Sequence, residues 1–200
     1  MTDAVVKRIV SEKDATGDLP LAKGVIVLND GGDKGEEEEI TVSVKSEIIL
    51  AAGALQSPQI LELSGIGGKG LLETHGNEVL VDNPGVGERL QDRAIVSQGF
   101  EVGAGVPSET CCGTPQPDDR GPAPDSAAMV MTPSAPQDFA TILTCLNHPD
   151  SRGSAHIVSP DIRVKPRLDP KYMSHPLDLE IMARHVQFVE KIIVTEPLRC

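Results

Sequence analysis

Residues 47–67 read EIILAAGALQSPQILELSGIG. Ile48, Ile49 and Leu50 are consecutive apolar residues, the pattern of a strand covered on both faces. Ala51, Ala52, Gly53 and Ala54 then remove nearly all side-chain bulk, so another body can approach the backbone closely. Ser57 followed by Pro58 predicts a helix start, with a hydroxyl cap and a proline at the first helical position, where a missing N–H does no harm. Ile60, Leu61 and Leu63 give that helix an apolar side, and Gly65 is placed to end it. Strand, small-residue turn and helix together let a helix N-terminus face a negatively charged ligand group. The same unit also occurs where nothing binds, so local physics leaves both readings open.

The residue string carries more. Gly53-Ala54, Ser57-Pro58, Ile60-Leu61 and Ser64-Gly65-Ile66-Gly67 together resemble the second signature of the glucose–methanol–choline (GMC) family of flavin oxidoreductases. The resemblance implies a flavin-binding α/β domain and a substrate domain, bound FAD, and oxidation of alcohols at a CH–OH group, with O2 or a quinone as acceptor.

Composition sets the outer limits. A chain of 200 residues makes one large or two small domains, and 39% hydrophobic with 24% charged residues is ordinary for a globular chain. Three Phe, one Tyr and no Trp leave few rings to anchor a core or line a pocket. A net charge of −12 argues against nucleic acid and against anionic membrane surfaces. No apolar run reaches the roughly 18 residues of a membrane-spanning helix, and MTDAVVKRIVSEKD lacks a signal-peptide pattern, which leaves the compartment open. Cys111, Cys112, Cys145 and Cys200 form no CxxC pair and have no clustered histidines, so neither zinc nor a disulfide framework is indicated and reduced thiols are expected.

Upstream of the central stretch, Ala4–Val10, Lys23–Asn29 and Glu39–Val44 read as three strands of a meander feeding the strand at Ile48–Leu50; in the third, Ile40, Val42 and Val44 alternate with Thr41 and Ser43. DGGDKGEEEE, from Asp30 to Glu39, reads as a solvated hairpin tip. By residue type Val6 is a core valine; the resemblance adds that its backbone contacts the adenine of FAD. With Val6, the candidate cofactor contacts are Ala52, Gly53 and Ala54.

Downstream, Lys69–His75 is predicted as one or two helical turns and Val79–Val81 as a short strand, followed by the turn formers Asp82-Asn83-Pro84-Gly85-Val86-Gly87. VDNPGVGERLQD resembles the family segment that leads into the substrate domain, with two departures: Arg89 stands where the family usually has asparagine, and Arg93 where it usually has histidine. From Val102 to Gln137 Gly, Pro, Ser, Thr and Asp dominate without periodicity, the composition of a long loop or disordered linker. Ala140–Leu146 and Ser154–Ser159 read as strands, with the family-like His148-Pro149-x-Ser151-Arg152-Gly153 between them, and Asp169-Pro170-x-Tyr172 also matches a family stretch. Asp178 is predicted to cap a last helix with an apolar stripe of Leu179, Met182, Val186, Val189 and Ile193, and His185 falls on its polar side.

The expected architecture is therefore α/β and α+β: a partial Rossmann-like FAD-binding domain over 1–92, a linker over 93–138, and a partial substrate domain with antiparallel sheet over 139–200. No histidine pair has metal-ligand spacing, and no Ser or Cys sits in a known nucleophile context, so no catalytic and no metal-ligating residue is assigned. The family's GxGxxG pyrophosphate turn and its C-terminal catalytic histidine have no counterpart in the 200 residues. By itself the chain is thus expected to hold FAD weakly or not at all and to turn over negligibly. Two other readings stay open: a non-catalytic binding or interaction protein that reuses the scaffold, with exposed strand edges that invite a partner or self-association, and an incomplete gene model of a full-length enzyme.

Overall fold

A computed structural model describes residues 4–13, 20–29, 38–101, 111–113, 127–134 and 139–194. The hairpin tip at 30–37, the segments 102–110 and 114–126, and Cys200 lie outside these, and Cys111 and Cys112 are described as backbone alone. The chain divides into two compact units: residues 1–90 with 153–170, and residues 91–152 with 171–200.

The first unit opens with the expected meander. Strands β1 (Ala4–Lys13), β2 (Pro20–Asn29) and β3 (Glu38–Ser43) pair antiparallel in the order β1-β2-β3. A register shift between Val6 and Arg8 puts a bulge at Lys7, and Ile9, Val27 and Leu28 are the strand residues that go into the core. Helix α1 (Gly53–Leu63) packs on β1. The chain then makes β4 (Ile66–Gly67), α2 (Lys69–Thr74), β5 (Val81–Asp82), parallel to β4, and β6 (Glu88–Leu90). Residues 153–170 return to this unit as β11 (Gly153–His156), which lies between β6 and β12 (Arg167–Asp169).

Two expectations about the central stretch are corrected. No strand forms at Ile48–Leu50, where Ile49 is 80% exposed. A strand exists through its ladder, and among the described residues none pairs with this segment. The helix also begins one turn earlier than Ser57: Ala52 is its N-cap, with no side-chain cap, and Pro58 lies inside it. Pro58 is the sixth of the eleven residues of α1, where it removes the one helical bond that an N–H there would make to the Ala54 carbonyl. Gly65, at φ +80, follows the C-cap Ser64, as a helix-ending glycine should.

The second unit is a four-stranded antiparallel sheet in the order β7-β10-β9-β8, made of β7 (Ile95–Glu101), β8 (Cys111–Gly113), β9 (Ala127–Ser134) and β10 (Phe139–Leu146), with helix α3 (Pro176–Ile192) packed on β10. The interval 93–138, read as a linker from its composition, thus supplies three strands. Pairing with the regular strand β10 supplies the ladder that Gly- and Pro-rich neighbours do not announce. The start of α3 is likewise earlier than expected. His175 is the N-cap, its Nδ1 accepting from the Leu177 N–H, Pro176 opens the helix, and Asp178 sits in the first turn. The buried face is Asp178, Met182, His185 and Val189, rotated from the predicted stripe, and Leu179 is exposed. His185 therefore points into the unit rather than to solvent; burial pulls its pKa below 6.5, and neither ring nitrogen has a partner among the described residues.

Arg89 has φ +61, in the left-handed region where asparagine and glycine are at ease and arginine is not. This gives a backbone reason for the asparagine usual at that position in the family it resembles. Arg89→Gly is expected to stabilise the chain by roughly 0.5–1 kcal/mol in chemical denaturation, and an unchanged or lower midpoint would show that the side chain earns its place by contacts instead.

Candidate cofactor site

The bend Ala52-Gly53-Ala54 sits at the entrance to α1. Gly53 has φ +82, and a Cβ built on it would meet nothing within 4 Å. The glycine is needed for the backbone conformation rather than to avoid a neighbour, and the space over it is open. Gly53 and Ala54 are exposed and Ala52 is half-buried. The N-terminal turn of α1 contains no acidic side chain and its N-cap makes no side-chain hydrogen bond. Its leading N–H groups thus have no capping side chain to compete with an incoming anionic or polar group. A flavin dinucleotide fits such a bend: bare backbone, left-handed glycine, uncapped helix end. Val6 lies on β1, half-buried, opposite Val27 and beside the bulge at Lys7. Ala52, Gly53 and Ala54 are one continuous surface; Val6 belongs to the strand on which α1 packs.

Polar residues on α1 hold this bend in place, and the sequence pattern did not reveal them. Ser64, 4% exposed, donates to the Ile60 carbonyl and accepts the Ile9 N–H at 2.8 Å, which fastens the end of α1 to β1. The Gln59 side-chain amide donates to the carbonyls of Ile162 (3.2 Å) and Val164 (2.8 Å), and so fixes the loop after β11. Glu62 is fully buried; one carboxylate oxygen accepts the Ile157 N–H at 2.8 Å and the other lies 2.7 Å from His156 Nδ1. His156 Nε2 is 3.2 Å from Glu88 on β6. Each buried acceptor is matched by a donor, which is what permits polar side chains on a core-facing helix. Gln59 and Glu62 are long helix formers that read as solvent-facing; the signal available was their i, i+3 spacing on the side that also carries Ile60 and Leu63.

In the second unit the His148-to-Gly153 motif shows its purpose. Asp178 accepts the Asp150 N–H (2.7 Å), the Ser151 N–H (2.7 Å) and the Ser151 hydroxyl, and Ser151 Oγ accepts the His175 N–H at 3.0 Å. Burial pushes the Asp178 carboxyl up, but the Ser151 hydroxyl and the two amides outweigh it and hold the pKa below 3.8. Asp150, His175 and Asp178 also place ligand-type atoms within 4.8 Å of one another. Both Asp178 oxygens are already taken by donors, so this cluster works as a fastening between the motif and α3. The Tyr172 hydroxyl likewise donates to Asp92, close to Arg93, the second position that departs from the family pattern.

Comparison with known proteins gives this geometry its setting. Residues 1–95 match the family model described as GMC oxidoreductase. Choline oxidase of Arthrobacter globiformis is 32% identical over 76% of this chain and 31% of its own length. Among solved structures, pyridoxine 4-oxidase from Mesorbium loti superposes with a TM-score of 0.76 at 21% identity, over 96% of this chain and 39% of that one. Formate oxidase of Aspergillus oryzae, in a structure concerned with FAD modification, superposes with a TM-score of 0.77 at 19% identity, over 98% and 44%. The chain thus spans about a third of the choline oxidase it matches. A shared fold across nearly its whole length and a sequence match that contains the entire Glu47–Gly67 stretch lead to one statement: the chain belongs to the GMC oxidoreductase family.

Proposed function

We propose that this chain forms part of an FAD-dependent oxidoreductase acting on the CH–OH group of an alcohol, of oxidase or dehydrogenase type, and that it supplies one wall of the flavin site. In this reading Val6, Ala52, Gly53 and Ala54 contact the cofactor. Residues 1–90 with 153–170 are a portion of the FAD-binding domain, and 91–152 with 171–200, including the strands within 93–138, a portion of the substrate domain. The observation that carries it is the open, left-handed Gly53 at the uncapped start of α1. Relatives named for oxidation of choline and pyridoxine, both of which carry an alcohol CH–OH group, support the reaction class. Bound flavin would supply the two-electron acceptor for the hydride of the CH–OH carbon. The residues of this chain bind and orient: the Ala52–Ala54 backbone admits close approach, and the first turn of α1 offers its N–H groups.

Titration of the isotopically labelled chain with FAD tests this. Amide shifts that keep growing to the highest FAD concentration, as weak binding gives, are expected at Val6 and at 52–54. Ala54→Leu, which adds bulk at an exposed helical position, is expected to weaken that response at least tenfold with stability changed by no more than about 0.5 kcal/mol. Shifts that map elsewhere, or a response untouched by Ala54→Leu, would remove the assignment.

A further inference from the structure

We propose that His156 is a positioning residue: as a doubly protonated imidazolium it bridges Glu62 and Glu88, tying α1 to β6 and β11 and thereby setting the bend at Ala52–Ala54. The last clause rests on the cofactor reading above, whereas the tie itself does not.

The argument is one of donors and acceptors. Nδ1 faces a Glu62 oxygen at 2.7 Å and Nε2 faces a Glu88 oxygen at 3.2 Å. A carboxylate only accepts, so both ring nitrogens must carry hydrogen; a neutral imidazole would turn one lone pair against a carboxylate oxygen. Glu62 has no exposure, and its second oxygen is occupied by the Ile157 N–H, so among the described residues the imidazolium is the side-chain cation that contacts it. A buried carboxylate without such a partner is expensive. The placement is enforced from below: at Gly87, with φ +77, a Cβ would lie 2.6 Å from His156 Nδ1, so the close approach of the β6 turn to the ring needs glycine.

Other charged groups flank the bridge. Arg167 stands directly opposite His156 across the β11–β12 ladder, Asp169 opposite Ser154, and Arg89 next to Glu88. Burial works against the charged ring, but the hydrogen bonds and charges of Glu62 and Glu88 prevail and raise its pKa above 6.5. The folded state therefore holds the proton more tightly than the unfolded one. The tie is fully present below pH 6.5 and is lost as the pH rises through the higher, folded value.

Three readouts on the 200-residue chain test the tie. The His156 ring, followed by NMR, is expected to titrate above 6.5, and in Glu88→Gln its midpoint is expected to fall; a midpoint at or below 6.5 in the unaltered chain overturns the proposal. The unfolding temperature is expected to drop by about 2–4 °C as the pH rises through that midpoint. His156→Gln is expected to lack this step and to exchange α1 amide hydrogens faster. The same step surviving in His156→Gln, or unchanged α1 exchange, also overturns it. Should His156→Gln fail to fold, the ring titration in the unaltered chain and in Glu88→Gln decides alone. If FAD perturbs nothing at any pH while these readouts behave as stated, the cofactor reading fails and the tie stands.

Discussion

Asp178→Ala is expected to lower the stability of the chain by about 2–4 kcal/mol, read as a shifted midpoint in chemical denaturation. Three donors converge on this carboxylate: the N–H groups of Asp150 and Ser151 and the Ser151 hydroxyl. The hydroxyl can turn elsewhere, and the Asp150 amide has some access to water. The Ser151 amide has neither escape, since Ser151 is 5% and Asp178 1% exposed. Losing a charged acceptor there leaves a buried N–H without a partner and releases the first turn of α3 from the 148–153 motif. Asp178→Asn keeps the shape and one accepting oxygen but turns an amide N–H toward a donor, so roughly half the effect is expected. Acid should reproduce the loss. The folded pKa lies below 3.8, so the stabilisation is present above 3.8 and disappears as the pH falls through the folded value. An Asp178→Ala chain with an unaltered midpoint would mean that the three hydrogen bonds contribute nothing net.

The second large effect separates two glycines of the same stretch. Gly53 and Gly65 share a left-handed backbone, at φ +82 and +80. A Cβ on Gly53 would meet nothing within 4 Å; on Gly65 it would lie 2.4 Å from the Glu78 carbonyl oxygen and 3.0 Å from Leu80 Cγ. Gly53→Ala should therefore cost only the backbone term, about 1 kcal/mol. Gly65→Ala adds the displacement of the segment from Glu78 to Val81, whose Leu80 and Val81 N–H groups donate to the Gly65 carbonyl, for about 2–4 kcal/mol in all. Equal losses from the two substitutions would refute the distinction. Under the proposed function the order reverses for ligand binding: Gly53→Ala is the variant that narrows the approach to the flavin.

What the sequence disclosed follows from which interactions are local. The β1–β2–β3 meander was legible because alternation and a glycine-rich turn sit within one hairpin of each other. The signature from Gly53 to Gly67 was legible as a string, and Gly65 as a helix stop. Ile48–Leu50 misled because an apolar run states that a segment is suited to burial, not that a partner strand lies beside it. The 93–138 interval misled in the opposite direction: β9 takes its order from pairing with β10, a contact its own composition does not encode. The polar ties escaped for the same reason. Glu62 and His156 are 94 residues apart, and Ser151 and Asp178 are 27 apart. Nothing in either local window shows that a glutamate on an amphipathic-looking helix will be fully buried.

The return of residues 153–170 to the first unit has a consequence for synthesis. At ribosomal rates of roughly 5–20 residues per second, His156 emerges about 5–20 seconds after Glu62, and the helix must wait that long for the strand that neutralises it. During this interval the nascent chain carries a glutamate destined for the interior with no counterpart, and the meander can form while the remainder of its unit cannot. The earliest moment at which this unit can close is then set by the synthesis of residues 153–170 rather than by helix or hairpin formation, which are far faster.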